Sequence, residues 1–487
     1  MRMLIPTALL VFAVGCTLGP DYARPTIDAP EAWRVQPAEA ENVANTQWWK
    51  SFNDPALDDL IDIALAENRD VRIAAARVEQ FLGALTSTRS RFFPTVGYDM
   101  DASRAKASRV GQPPIPAGGD PYFTLYQGSL GATWQIDLFG RVRRLNEAAQ
   151  ARVYASEQAR RGVVLSLVTS VAASYITLRQ LDRQLEIAKA TANNFGETAR
   201  IFDLRHKAGV VSQTEVSQVR SQHEQALATI PALEQQIAAV ENLISITLGR
   251  NPGPIPRGLT IDQLVPPRIP GDLPSSLLER RPDILQAEQN LVAANANIGA
   301  TRALYFPDLT LTGALGSTST SFGNFLTGPA SAWLVGANLA GPIFTFGAIK
   351  GQVHSAQAQK DEAVLVYQQT ILNAFRETDD AITGSVKKEE ELARQAARVT
   401  ALRESARLSR LKFEYGMAGY VEVLIADNEL FAAEIALVRV RSERNTQIVQ
   451  VYRAMGGGWV DAAADQSSAT GSDAPSEPRT EAGGMRW

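Results

Sequence analysis

The chain has 487 residues, a hydrophobic fraction of 45% and a formal net charge of −4. It is long enough for a sizeable core and lacks the basic excess that a nucleic-acid-binding face requires. Its single cysteine, Cys16, excludes an internal disulfide, and three scattered histidines, His206, His223 and His354, offer no metal-ligand spacing.

Residues 1–15 read as a secretory signal peptide. Arg2 precedes an apolar run from Leu9 to Val14, and small residues follow. The run is too short for a spanning helix, which needs about 20 apolar residues. Cys16 follows Gly15 directly, where a bacterial lipoprotein signal places the cysteine that is lipidated. Ala13 departs from the Leu that pattern prefers. Cys16 is expected to carry a covalent lipid such as palmitate. Thr17 rather than Asp follows it, which by resemblance to lipoprotein sorting in enteric bacteria favours the outer membrane. No later stretch reads as a transmembrane helix. Residues 16–53 form a Pro-rich, irregular, lipid-anchored segment containing Trp48-Trp49.

The first structural repeat spans 54–248. Helical periodicity covers about 54–91, two strands cover about 93–104 and 122–138, and helices cover about 140–206 and 214–248, parted by Gly209. A Pro-rich linker occupies 249–272. The second repeat spans 273–455, with a helix at about 273–304, strands at about 305–317 and 331–344, and helices at about 347–413 and 421–455, parted by Gly416. Residues 456–487 read as a C-terminal segment and a disordered tail.

The halves are copies. Phe93-Pro94 and Phe306-Pro307 lie 213 positions apart, as do Asp70-Val71 and Asp283-Ile284. Downstream the offset becomes 207, for Phe139-Gly140 against Phe346-Gly347 and for Glu215-Val216 against Glu422-Val423. A loop between the strands absorbs the difference.

The strands alternate with period two. Tyr126, Gly128, Leu130, Ala132, Trp134 and Ile136 oppose Gln127, Ser129, Thr133, Gln135 and Asp137. Segments of this length and alternation build outer-membrane barrels, although a soluble half-buried sheet alternates likewise. The helices carry heptad spacing, as in Val216, Val219, His223, Ala226, Ile230 and Leu233. His223 is expected as a packed seam residue, and Pro231 as a kink. A helix of 66 residues would be about 100 Å long. Four strands cannot close a barrel, and open edges in lipid cost several kcal/mol per group, so strands in a membrane require a ring of copies. Two copies would give a barrel filled by side chains, and three a barrel with a lumen.

Cys16, Thr17-Leu18-Gly19-Pro20-Asp21-Tyr22, Trp48-Trp49, Leu278-Glu279-Arg280-Arg281-Pro282-Asp283-Ile284 and Met455-Gly456-Gly457-Gly458-Trp459 occur in one order on this duplicated frame. In that order they resemble the TolC family of outer-membrane factors, in its OprM-like (NodT-type) lipoprotein branch. The resemblance implies a mainly α fold with a transmembrane β part. A homotrimer would form a 12-stranded outer-membrane β-barrel on a 12-helix periplasmic α-barrel. An equatorial girdle would form from the chain ends and the mid-chain linker. It implies the exit duct of a tripartite multidrug efflux pump, lipid-anchored in the outer membrane and extending into the periplasm. Its partners would be a periplasmic adaptor (membrane fusion protein) and an inner-membrane transporter of the resistance-nodulation-division (RND) type. No enzyme activity, catalytic residue, metal or cofactor is expected, apart from the lipid on Cys16, and no nucleic acid.

In that family the tunnel closes near the start of the last long helix, which here reads Tyr420-Val421-Glu422-Val423-Leu424-Ile425. The resemblance assigns a periplasmic gate to Val421, Glu422, Ile425 and the repeat partner Glu215. Ile425 stands where the family often carries Asp, which suggests a hydrophobic plug. The alternative is that Val421 and Ile425 are ordinary seam residues. Two other functions fit the pattern: the outer-membrane duct of a type I protein secretion system, and a non-conducting periplasmic coiled-coil scaffold lipoprotein.

Overall fold

The computed structural model describes residues 17–35, 47–109, 118–269 and 274–457. Cys16 with its expected lipid, the signal peptide and the C-terminal stretch with Trp459 lie outside them. In chain order the main elements are α1 (Pro55–Glu67), α2 (Arg69–Arg89), β1 (Thr95–Lys106), β2 (Tyr122–Ile136), α3 (Arg141–Lys207) and α4 (Gln213–Thr247). The second copy supplies α5 (Pro282–Arg302), β3 (Asp308–Ser319), β4 (Ser331–Ala340), α6 (Ala348–Glu414) and α7 (Tyr420–Ala454). Helices α3 and α6 have 67 residues each, and α4 and α7 have 35 each. Both ends of α3 and α4 fall 207 positions before those of α6 and α7, so the duplication holds to the residue.

The compact units do not follow the repeats. One consists of the chain to Thr26, Arg77–Ser156 and Gln286–Gln368; the other of Ile27–Ala76, Glu157–Leu285 and the chain from Gln369. Each draws on both copies.

Two helices expected to be continuous are broken. The segment expected over 54–91 divides at Asn68, whose backbone is extended (ψ 132°). Asn68 Oδ1 accepts from the Val71 amide at 3.0 Å and so caps the start of α2. The segment expected over 273–304 divides at Arg281, between a turn at Leu277–Arg280 and α5. Pro282 forces this break, since its ring disfavours helical backbone in the residue before it. Helix α4 runs through Pro231 uninterrupted. His223 lies against Gly196, where a Cβ would come within 3.0 Å of the imidazole, and so packs at a helix seam.

In the first unit, β1 to β4 form one antiparallel sheet in sequence order. The segment from Thr17 is held beside it. Arg144, almost wholly buried, donates to the carbonyls of Leu18 and Gly19 and pairs with Asp21 at 2.7 Å and Glu147 at 2.8 Å. Asn295 donates to the Pro20 carbonyl at 2.8 Å. Gly19 (φ +98°) crosses Gly299 so closely that a Cβ on Gly19 would lie 2.4 Å from the Gly299 Cα, which is why both positions are glycine.

The core of the second unit joins Trp48, Trp49 and Phe52 to α1, to the middle of α3, to Ile255, Ile261 and Leu264 of the linker and to Tyr452 of α7. Trp48 stacks on Tyr452 at 5.3 Å. Asp54 caps α1 through the Ala56 amide, accepts the Tyr175 hydroxyl at 2.7 Å and accepts the Leu259 amide at 3.0 Å. The described parts of the Pro-rich segments are thus packed structure. One stretch of α3 corrects the reading that no later segment could span a membrane: its mean hydropathy reaches 1.5, by length and composition enough. That stretch is 56% buried within the protein, and Val164, Val168, Val171, Tyr175 and Leu178 belong to the core.

Candidate functional site

The sheet separates its side chains by face. Directly opposed pairs share a face, so Tyr98↔Leu130, Leu130↔Leu315 and Leu315↔Trp333 place four large apolar side chains in one row across all four strands. Above and below that row lie Met100, Gly128, Trp134, Leu311, Val335 and Leu339 on the same face. The opposite face carries Asp99↔Ser129 and Asp101↔Gln127, with Thr133↔Thr312 and Thr310↔Asn338. The apolar row is exposed in the single chain. β1 and β4 each pair on one side only, leaving two open sheet edges. An exposed row of large apolar side chains and two unpaired edges require an apolar surrounding and further strands.

The second region is the pair of helical turns in the other unit. After α3, the amides of Gly209 and Val210 close on the His206 and Arg205 carbonyls at 2.8 and 2.9 Å. After α6, Gly416 and Met417 do the same on Phe413 and Lys412 at 3.0 and 2.8 Å. Gly209 and Gly416 have φ of +74° and +71°, as this C-terminal motif requires.

The next helices start differently. Ser212 caps α4, and Glu215 completes a capping box, its Oε2 accepting from the Ser212 amide at 2.8 Å and hydroxyl at 3.0 Å. Gly419 caps α7 without a side chain, and Glu422 pairs instead with Lys412 at 2.9 Å. The structure therefore gives the two matching glutamates separate structural partners and does not bring them together. Val421 and Ile425, one turn apart, are 47% and 55% exposed, whereas their neighbours Val423 and Leu424 are buried. The apolar pair faces away from its own chain.

Sequence reasoning missed what lies behind that pair. Phe202 of α3, Phe413 of α6 and Tyr420 of α7 form a closed ring cluster, with centroids 4.3 Å (Phe202–Tyr420), 5.3 Å (Phe413–Tyr420) and 6.2 Å (Phe202–Phe413) apart. The Arg205 guanidinium lies over Phe202 and Phe413 at 6.0 and 5.8 Å. Burial, and then the Asp427 carboxylate, push the Tyr420 hydroxyl up to about 12. Burial also raises the Asp427 carboxyl, against the pull of Arg410, which donates to it at 2.7 Å. A cavity of about 480 Å³ opens beside this cluster, bordered by Asp427, Phe431 and Glu434. One signal for these residues was in the sequence: Arg410 and Asp427 stand 207 positions after Asp203 and Arg220, which pair at 2.8 Å with the charges exchanged.

Among the described residues no cluster of His, Cys, Asp and Glu could hold a metal ion. A family model described as outer membrane efflux protein matches residues 60–250 and 273–457. A protein of Pseudomonas putida called probable efflux pump outer membrane protein TtgC is 34% identical, over 94% of this chain and 96% of its own length. A protein of Salmonella typhimurium called probable outer membrane lipoprotein SilC is 29% identical, over 95% and 99%. Among solved structures, the open state of the Neisseria gonorrhoeae MtrE outer membrane channel superimposes with a TM-score of 0.82 at 27% identity, covering 91% of this chain and 99% of that one.

Proposed function

The chain belongs to the outer membrane efflux protein family, and from that premise we propose how it works as a duct. It is an outer-membrane component of an efflux pump. Three copies join β4 of one to β1 of the next, making a 12-stranded barrel with Asp99, Asp101, Gln127 and Thr312 towards a wet lumen and the Leu130 row towards lipid. The observation that carries this reading is the two-faced register with both edges open: one chain cannot satisfy it, and a ring can. Two copies would leave an eight-stranded barrel filled by side chains.

The paired long helices line a periplasmic tunnel that meets an adaptor and, through it, an inner-membrane RND pump. Solutes pass down their gradient, and the wall does no chemistry. Cys16 carries the lipid anchor. At the tip, Val421 and Ile425 from three chains form an apolar collar that keeps the resting tunnel dry. The exposed face of the pair supports this, since a collar needs side chains turned away from their own chain. Glu422 and Glu215 sit beside it, the first paired with Lys412 and the second as part of the α4 cap.

Planar-bilayer conductance of the purified protein, with oligomer mass measured on the same sample, tests the reading. A trimer with a small, mostly closed conductance supports it. A species that never inserts sinks it in favour of a non-conducting scaffold.

A further inference from the structure

The loop between β3 and β4 does not stand over the end of the sheet. It is built around two short turns, with Phe325 N–H on the Phe322 carbonyl at 3.2 Å and Thr327 N–H on the Asn324 carbonyl at 3.1 Å. From there it folds back onto one face. The Phe322 ring meets Tyr126 edge-on at 5.5 Å. Phe325 lies over Gly128, where a Cβ would come within 2.8 Å of its ring. Tyr126 and Gly128 belong to the apolar face, beside Met100 and Leu130. Leu326, next in the loop, is 89% exposed. No Asp, Glu, Lys or Arg occurs from Leu309 to Ile349. The loop therefore continues the apolar face past the last paired residues.

The only cations of β1 complete the pattern. Arg104 and Lys106 oppose Thr124 and Tyr122, which puts both on that same face and at that same end. Lys106 Nζ sits 5.7 Å from the centre of the Tyr122 ring. Basic side chains over an aromatic fringe, next to an uncharged apolar surface, are what a lipid with a phosphorylated headgroup fits: acyl chains against the rings, phosphate against the cations.

We propose that this end of the sheet is a lipid-binding surface, on which Phe322, Phe325 and Leu326 enter the outer leaflet while Arg104 and Lys106 hold its phosphorylated headgroups. The inference rests on the barrel reading above. Every helix joins the sheet at its other end, so a periplasmic helical part puts this loop at the outer leaflet. It follows that the β3–β4 loop anchors the barrel from outside and does not itself fold over the mouth of the duct.

The test places single cysteines by Leu326→Cys, Leu130→Cys and Ser129→Cys in the full chain. The unsubstituted chain serves as the labelling blank, because Cys16 is its one native cysteine. Nitroxide-labelled protein is reconstituted in phosphatidylcholine vesicles containing lipid A, and collision with oxygen is compared with collision with a nickel chelate. The expected result is oxygen exceeding nickel at 326, as at 130, and the reverse at 129. Nickel exceeding oxygen at 326, with 130 and 129 still opposed, overturns the loop assignment. Equal behaviour at 130 and 129 would instead sink the barrel reading, and this inference with it. The double variant Arg104→Gln/Lys106→Gln is expected to retain less lipid A through purification than the unsubstituted chain. Unchanged retention removes the phosphate part of the assignment.

Discussion

Asn68 donates its side-chain amide to the carbonyl of Thr247, the last residue of α4, at 2.7 Å. Arg281, 213 positions later, does the same at 2.9 Å to Ala454, the last residue of α7. Each repeat thus places, at the break in its first helix, a side chain that satisfies the end of its last helix, where four carbonyls lack intrahelical partners. Gly249 and Gly456, in positive φ, close the same helix ends against Glu67 and Arg280.

The two breaks should differ in cost. Asn68→Ala removes a helix cap and one carbonyl partner, for a loss of about 1–2 kcal/mol. Arg281 also pairs with Asp283 at 2.7 Å and Glu377 at 2.8 Å while buried. Arg281→Ala should therefore cost more, about 3 kcal/mol. Thermal unfolding of the two variants in one detergent checks the order, and a larger drop for Asn68→Ala would contradict it.

The exchanged charges predict a permitted swap. Asp203–Arg220 and Arg410–Asp427 occupy corresponding places with opposite polarity. Arg410→Asp combined with Asp427→Arg should leave the melting temperature near that of the parent, while either reversal alone brings like charges together and lowers it by about 1 kcal/mol in stability. Additive losses in the double variant would show that the site does not tolerate the other polarity.

Tyr420 should make the tip sensitive to alkali. Its folded value is raised from 10.0 to about 12, so the stability it contributes is complete below pH 10 and is lost as pH climbs through about 12. Melting temperature measured across that interval should fall more steeply for the parent chain than for Tyr420→Phe. Parallel curves would mean that the hydroxyl plays no part.

The ring cluster should hold α3 to the turn between α6 and α7. Phe202→Ala opens a cavity in a closed three-ring contact, at a cost of about 3–5 kcal/mol locally. Hydrogen exchange should speed up at Tyr420–Ala426 and not in the Trp48 core. Uniform acceleration throughout would point to global destabilisation instead.

The collar predicts a leak. Ile425→Ser, or Val421→Ser, wets an apolar ring and should raise resting bilayer conductance, whereas Glu215→Ala should chiefly weaken the start of α4, by about 1 kcal/mol. An unchanged leak in both serine variants would leave the pair as ordinary seam residues.

Local regularities made much of this protein legible before any coordinates. The 213 and 207 offsets, the two-residue alternation from Tyr126 to Ile136, the long helices and the glycines ending them all depend on residues near one another in the chain or on comparison of one copy with the other. Self-similarity could have exposed the exchanged charge pairs too. Long-range partners decided the rest. That Asn68 and Arg281, at the helix breaks, serve the carbonyls of Thr247 and Ala454, and that Phe202 meets Phe413 and Tyr420, follow from packing between segments up to 218 positions apart. No periodicity encodes such contacts, because a helical pattern states which face is buried and not what buries it. The sheet shows the same division: alternation set its two faces and four strands had to leave edges, but only the register revealed the order that makes β1 and β4 those edges.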